Sequence, residues 1–159
     1  MPARAAHLPR IMPNTYTSLR YHIVFSTRNR EPWISREWRP RLFEYLGGTL
    51  RGLDAHSHEI GGVADHVHLV MSLKPTHMIS KVLQEVKKAS SVWVHEEMHV
   101  SEFAWQDGYA AFTVSASVLP EVVVYVRGQE EHHRTRSFRE ELEIMLRKSG
   151  VNFEPKYLE

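Results

Sequence analysis

Length, composition and charge already limit what this chain can be. It has 159 residues, of which 42% are hydrophobic and 25% charged, an ordinary composition for a globular protein of one domain. The absence of cysteine excludes a disulfide framework, a thiolate metal site and a cysteine nucleophile. No apolar run has the length that a membrane-spanning helix needs. The formal net charge of +1 does not by itself indicate a polyanionic partner.

The N-terminal third of the chain predicts an arm, a strand and a helix. Residues 1–15 lack the apolar segment of a signal peptide and are predicted to form a flexible arm, while residues 16–159 are predicted to form a single domain. Apolar side chains alternate over residues 19–25, which predicts the first strand. Ser35 is expected to cap a helix over residues 35–51.

The middle of the chain predicts a hairpin, a long helix and a fourth strand. Residues 56–63 and 66–73 have the composition of two strands that are joined by a tight turn. Apolar residues at helical spacing predict a long helix over residues 78–97. Phe112 and Val114 support a fourth strand.

The C-terminal part predicts two helices, and with them a fold class. Pro120 begins a helix over residues 121–133, with Ser117 as its cap. A Ser-x-x-Glu capping box at residues 137–140 opens another helix, which runs to about residue 148. The order β-α-β-β-α-β-α-α predicts an α+β fold. We expect a ferredoxin-like, RRM-like antiparallel sheet with helices on one face and added C-terminal helices.

Two histidines that are one residue apart, His66 and His68, stand in the predicted third strand. Side chains at i and i+2 of a strand share a face, so both imidazoles project together while Val67 and Leu69 turn towards the core. Two neutral imidazoles are half of a metal site. Two strand histidines that make ordinary hydrogen bonds are the alternative that so short a motif leaves open.

A second group of polar residues lies on the predicted helix 121–133. Tyr125 and Gln129 are four residues apart and therefore share a helix face, and His132 lies close to the same stripe. The alternative for Tyr125 is an amphipathic residue at the edge of the core. A divalent cation that polarises a phosphate beside a tyrosine nucleophile is chemistry that would use both groups of residues.

Five short motifs, taken in order, resemble those of the HUH single-strand transposases. These are the small single-tyrosine, IS200-like transposases of bacterial insertion sequences, and the resemblance extends over residues 16–158. The motifs are YHIVFSTRNR at 21–30, DHVHL at 65–69, WQ-x-GY at 105–109, Y-x-x-x-QEEHH at 125–133 and SF-x-EEL at 137–142.

The resemblance implies a metal-dependent enzyme that cleaves and rejoins single-stranded DNA at insertion-sequence ends. Tyr125 would attack a DNA phosphate and form a 5′-phosphotyrosine intermediate. His66, His68 and Gln129 would bind the divalent metal, Mg²⁺ or Mn²⁺, with His132 as a competitor for the third position.

The resemblance also implies partners. These are single-stranded DNA with hairpin ends, and a second copy of the chain in a homodimer whose subunits share active sites. The candidate DNA-binding residues are Arg28, Arg30, Lys87 and Lys88. No membrane partner is expected, and the expected location is the bacterial cytoplasm, in association with the nucleoid.

Other functions remain compatible with parts of the pattern. A domesticated transposase-like nuclease that processes palindromic repeat DNA would carry much the same motifs. A non-catalytic nucleic-acid-binding module would use exposed aromatic residues on the central strands, where this chain has histidines. A small metalloenzyme unrelated to DNA would have no special reason for the pairing of Tyr125 with Gln129.

Overall fold

Four antiparallel strands form the centre of the fold. The computed structural model describes residues 15–158, so the predicted arm over residues 1–15 lies, except for Thr15, outside the described residues. The strands are β1 (Arg20–Ser26), β2 (His56–Gly62), β3 (His66–Ser72) and β4 (Ala110–Thr113). Their order in the sheet is β2-β3-β1-β4, and every neighbouring pair is antiparallel.

Five α-helices accompany the sheet in the described part of the chain. They are α1 (Arg39–Gly52), α2 (Ile79–Glu97), α3 (Leu119–Arg127), α4 (Gln129–His132) and α5 (Phe138–Lys148). The order of the elements confirms the predicted ferredoxin-like α+β fold with added C-terminal helices. None of the described helices is long and apolar enough to cross a membrane. The single domain over residues 16–159 stays a prediction.

One face of the sheet forms the hydrophobic core with α1 and α2. The alternation of β1 and β3 sends Ile23, Phe25, Val67, Leu69 and Met71 to this face, and all are buried. The two helices contribute buried aliphatic side chains to this core, namely Leu42, Leu46, Leu50, Val82, Leu83 and Val86. Each such side chain stabilises the fold by about 1.5–3 kcal/mol when it leaves water. This core holds β3 rigidly from below.

The opposite face of the sheet carries the polar residues. His66 and His68 of β3 lie there, paired in register with Ser26 and Val24 of β1, and His22 of β1 lies on the same face. α3 packs over β2 and β3, and Phe138 at the start of α5 stacks on His66 with ring centroids 4.1 Å apart. The C-terminal helices therefore enclose the histidine face.

Two predicted helix starts were wrong. α1 begins at Arg39 and not at Ser35, whose hydroxyl instead accepts a hydrogen bond from the Glu37 backbone at 3.2 Å. The reason is Pro40, which is tolerated only in the first turn of a helix because it lacks an N–H group. Ser117 does not cap α3 either, since its hydroxyl bonds that of Ser115 at 3.1 Å.

The predicted helix over residues 121–133 is broken in two. Gly128 has a ψ angle of 22° and ends α3, and Gln129 begins the single turn of α4. Glycine favours such a break because it has poor helix propensity. The capping box of α5 is present as predicted, with the Ser137 hydroxyl accepting from the Glu140 backbone at 3.2 Å.

A glycine on β2 sets how closely α3 approaches the sheet. Gly61 pairs with His68 in the register of β2 and β3. A Cβ atom added at Gly61 would lie 2.0 Å from the carbonyl oxygen of Val126 in α3, closer than any side chain allows. The bare backbone at Gly61 therefore lets α3 lie directly against the strand, and this brings Tyr125 next to His68.

We expect Gly61→Ala to destabilise the protein by about 1–3 kcal/mol, because α3 must move to relieve the overlap. The free energy of unfolding in urea measures this. Gly48→Ala on α1 is the control, since its added methyl group would meet nothing closer than Arg51 Nη2 at 3.7 Å. That variant should be unchanged or slightly stabilised. Equal stability of Gly61→Ala and the parent chain would contradict the close approach.

A candidate metal centre beside a tyrosine

The two histidines of β3 form the base of a buried polar cluster. His66 and His68 have no exposed surface, and their ring centroids are 5.2 Å apart. The sheet alternation alone places them on one face, and the covering helices then remove them from water. In a buried imidazole, the hydrogen bond of one ring nitrogen fixes the orientation of the ring and the role of the other nitrogen.

Each histidine has a partner that orients its ring. His66 Nδ1 lies 2.7 Å from Asp65 Oδ1, and His68 Nδ1 lies 2.8 Å from His22 Nε2. With a proton on each Nδ1, both Nε2 atoms turn a lone pair towards the cluster, as metal-binding histidines do. Burial lowers the pKa of His68 to about 4 and that of His22 to about 3, so both imidazoles are neutral at pH 7.

Gln129 lies in the cluster, as the resemblance implied. It is 1% exposed, and its Oε1 atom is 3.2 Å from His66 Nε2 and 3.0 Å from His133 Nε2. The turn at Gly128 aims this side chain inwards. His132 instead contacts the ring of Tyr125, with centroids 4.6 Å apart, so His133 and not His132 stands beside the histidine pair.

Two residues of the cluster, His133 and Glu141, were not among the ligands expected from the sequence. Four side chains, His66, His68, His133 and Glu141, offer ligand atoms that all lie within 4.8 Å of one another. Glu141 was overlooked because a Glu-rich helix is usually a solvated one. The signal was present, however, since the capping box fixes the phase of α5 and puts Glu141 on the same buried stripe as Phe138.

Tyr125, in the last turn of α3, completes the cluster from above. Its ring centroid is 6.0 Å from that of His68 and 6.1 Å from that of His22. Burial and the neighbouring Glu141 carboxylate raise the pKa of the Tyr125 phenol far above its usual range. Although burial alone would raise it, the neighbouring His133 imidazole holds the pKa of Glu141 well below its usual range. The cluster thus pairs a neutral phenol with an ionised carboxylate.

The donor set fits a divalent cation. It consists of imidazole nitrogens, one amide oxygen and one carboxylate, which are ligands that Mn²⁺ and similar ions accept. His68 Nε2 and Glu141 Oε1 are buried and 2.8 Å apart, yet neither has a partner with hydrogen-bond geometry. Both atoms have lone pairs and no hydrogen bond joins them, so a cation that binds both would stabilise this arrangement.

Three of the four basic candidates lie together. Arg28, Lys87 and Lys88 line a cavity of about 400 Å³ against the loop of residues 105–109. Lys87 Nζ donates to the carbonyl oxygen of Gln106 at 2.9 Å and to that of Gly108, so this amine is already engaged by protein.

Arg30 lies apart from these three residues. It lines a neighbouring cavity of about 370 Å³, which Phe138 borders. Arg30 and the adjacent Asn29 have positive φ angles of 53° and 54°, a backbone conformation that non-glycine residues adopt at a cost. Tyr109, the tyrosine of the WQ-x-GY motif, lines both cavities, is 43% exposed and is not one of the residues that form the cluster.

Comparison with known sequences finds relatives of one kind. Residues 15–129 match the family described as Transposase IS200 like. The transposases for insertion sequence element IS200 of Salmonella typhimurium strain LT2 and of Salmonella typhi are both 23% identical to this chain over 129 residues. The aligned part covers 77% of this chain and 84% of each relative.

Comparison with solved structures also finds proteins described as transposases. A transposase-like protein of Deinococcus radiodurans R1 has a TM-score of 0.58 and 21% identity, over 72% of this chain and 94% of its own. A REP-associated tyrosine transposase bound to a REP hairpin has a TM-score of 0.52 and 14% identity, over 72% of this chain and 70% of its own. At these identities the two structures establish the shared fold.

The orientation of His66 by Asp65 should be visible in the pH dependence of stability. Burial disfavours the Asp65 carboxylate, but its bond to His66 outweighs this and lowers its pKa. The carboxylate therefore stabilises the fold above the unfolded-state pKa, and this contribution is lost as the pH falls through the lower, folded-state pKa. We expect Asp65→Asn to cost about 1 kcal/mol at pH 7 and less at pH 3.

Urea unfolding of both proteins at the two pH values measures this difference. Asp54→Asn is the control, because its carboxylate pairs with Lys74 on the surface and contacts no residue of the cluster. A cost for Asp65→Asn that does not change with pH would contradict the assigned contact.

Proposed function

This chain belongs to the IS200-like transposase family, and from that premise we propose that it cleaves and rejoins single-stranded DNA through Tyr125 with the help of a divalent cation. The observation that carries the proposal is the position of Tyr125, whose ring lies 6.0 Å from that of His68 and contacts the Glu141 carboxylate. A nucleophile beside a set of metal-ligating side chains is what such a reaction requires.

In the proposed reaction, the Tyr125 hydroxyl attacks a phosphodiester phosphorus. The new bond joins Tyr125 Oη to the 5′-phosphate, the bond from phosphorus to the 3′ oxygen breaks, and that oxygen leaves as a 3′-hydroxyl. The phenol loses its proton, and the leaving oxygen gains one. Attack by another 3′-hydroxyl on the phosphotyrosine reverses these steps and joins two strands.

His66, His68 and Gln129 are the proposed ligands of the cation, for which Mg²⁺ and Mn²⁺ are the candidates. When bound, the cation would polarise the phosphate and stabilise the negative charge that develops on it. Asp65 and His22 hold the two imidazoles with their Nε2 atoms towards the cluster. Glu141 contacts the Tyr125 phenol and would orient its hydroxyl.

The proposed partner is single-stranded DNA with hairpin ends. The relative of 14% identity was solved with a REP hairpin, which supports a hairpin ligand for this chain as well. We propose Arg28, Arg30, Lys87 and Lys88 as phosphate contacts, because Arg28, Lys87 and Lys88 line one cavity, on which Arg28 and Lys88 are exposed, and Arg30 lines the neighbouring one. Work on chromosomal DNA would also account for the expected association with the nucleoid.

The proposed assembly is a homodimer that uses the outer surface of α3. Val124 on α3 is 66% exposed and Val118, just before the helix, is 39% exposed, so apolar side chains there are open to a partner. Tyr125 reaches the histidine pair of its own chain here. An exchange of tyrosine helices between subunits would bend the chain at Gly128, where α3 already ends.

A domesticated nuclease for palindromic repeat DNA is the second candidate. The structural likeness to a REP-associated tyrosine transposase favours it. The two candidates share the chemistry of Tyr125 and differ in the DNA that they serve. Cleavage rates on two kinds of hairpin DNA separate them. Faster cleavage of hairpins from dispersed repeats favours the nuclease, and faster cleavage of hairpins that flank the chain's own gene favours the transposase.

The covalent step is tested with a labelled single strand from the flanks of the gene, in the presence of Mn²⁺. The parent chain should form an adduct that survives denaturation. Tyr125→Phe should form none, because only the attacking hydroxyl is lost, and it should still bind the hairpin. His68→Ala should lower adduct formation by about 100-fold or more. An adduct with Tyr125→Phe would move the nucleophile elsewhere, with Tyr109 the next residue to test.

The same assay tests the shared active site. Neither Tyr125→Phe nor His68→Ala is expected to form the adduct efficiently alone. A mixture of the two regains adduct if the tyrosine helix of one subunit serves the histidine pair of its partner. A mixture that stays inactive would contradict the exchange and leave each chain with its own complete site.

DNA binding is tested with Lys88→Gln and Lys87→Gln in the Tyr125→Phe background. The exposed Lys88 is free to contact a phosphate, whereas Lys87 already donates to two carbonyl oxygens. We expect Lys88→Gln to reduce the slope of log affinity against log salt by about 0.7, the value for one phosphate contact of a single strand. Lys87→Gln should change this slope less. An unchanged slope for Lys88→Gln would reject this residue as a phosphate contact.

A further inference from the structure

Helix α5 inserts a carboxylate into the candidate metal centre. Glu141 is 1% exposed, and it comes from beyond residues 15–129, the part that matches the family. Its Oε1 atom lies 2.8 Å from His68 Nε2 and 3.7 Å from His66 Nε2. A residue outside the matched segment thus contacts both histidines that the proposed function assigns to the metal.

The buried carboxylate of Glu141 has no permanent cation beside it. Within residues 15–158, its ion-pair contacts are all with imidazoles, those of His66, His68 and His133. A buried charge is costly unless an opposite charge compensates it. An arginine or lysine would give that compensation at every pH and with no metal, and neither forms an ion pair with Glu141 in this part of the chain.

The contact between Glu141 and His68 is incomplete as a hydrogen bond. His68 Nε2 and Glu141 Oε1 are both buried and 2.8 Å apart, and neither has a partner of hydrogen-bond geometry. The Nδ1–H group of His68 can donate to His22 Nε2, 2.8 Å away. This leaves a lone pair on His68 Nε2. A nitrogen lone pair and a carboxylate oxygen then point into the same space, and a cation can bind both.

We propose that Glu141 is a ligand of the divalent cation together with His66 and His68, a proposal that rests on the metal-dependent function put forward above. The other proposed ligand, Gln129, is a neutral amide. Mg²⁺ and Mn²⁺ favour charged oxygen ligands over an all-neutral set of imidazoles and amides. Glu141 supplies the one carboxylate of the cluster and so accounts for binding of a hard cation there.

This assignment couples cation binding to the docking of α5. Phe138, one turn before Glu141, stacks on His66 with centroids 4.1 Å apart, and the capping box at Ser137 fixes where α5 begins. If the cation joins Glu141 to β3, it holds α5 on the sheet. By linkage, docking of α5 strengthens cation binding to the same extent.

The test is Mn²⁺ binding to the full chain without DNA, followed by the electron paramagnetic resonance signal of free Mn²⁺. Glu141→Gln keeps the size of the side chain and removes its charge. We expect it to weaken Mn²⁺ binding by at least about tenfold, and Glu141→Asp, which keeps a carboxylate, to weaken it less. Glu143→Gln is the matched control, because it removes one charge from the same helix at a residue that pairs with Arg139. Its affinity should be unchanged.

Hydrogen exchange of the α5 amides gives a second readout. Mn²⁺ should slow this exchange in the parent chain and in Glu143→Gln, but not in Glu141→Gln. Unchanged Mn²⁺ affinity in Glu141→Gln, together with a loss in His68→Ala, would overturn the role of Glu141 and leave the proposed metal site in place. Unchanged affinity in both variants would overturn the metal site as well.

Discussion

The contact between the Glu141 carboxylate and the imidazoles of β3 joins the end of the chain to the middle of the sheet. Without it, α5 would still pack on His66 through the Phe138 ring but would place no charged group in the cluster. With it, three helices that follow one another in sequence close over one buried polar cluster. A buried carboxylate surrounded by imidazoles is stable only with a cation or a shared proton, so the C-terminal part of the fold and the chemistry of the site depend on the same contact.

The sheet and the helices contribute different parts of the site. β3 is held from below by an apolar core and presents two imidazoles at fixed spacing, which is the rigid part of the site. The tyrosine reaches it from above on α3, whose close approach depends on the missing side chain of Gly61. Fixed imidazoles, and a tyrosine on a helix that ends in a glycine, suit the proposed reaction, in which the tyrosine must first attack and later release DNA.

Much of the fold and part of the candidate site could be predicted from the sequence. The remaining features could not be predicted, for physical reasons. Period-two alternation identified the strands and the common face of His66 and His68, and i, i+4 spacing related Tyr125 to Gln129. Helix starts failed where a proline outweighed a serine cap. Glu141 was missed because the sequence gives the phase of a helix but not the surface on which it docks. His132 contacts Tyr125, as i, i+7 spacing indicates, whereas His133, four residues after Gln129, is the histidine beside the pair on β3.

The central claim is that one cation binds the buried histidines and the carboxylate of α5 together. The most direct measurement is anomalous diffraction at the manganese edge from crystals of the full chain grown with Mn²⁺. The account predicts a peak about 2.0–2.4 Å from His66 Nε2, from His68 Nε2 and from a carboxylate oxygen of Glu141. A manganese peak that contacts the histidines while Glu141 lies turned away, or the absence of any peak at the cluster, would contradict it.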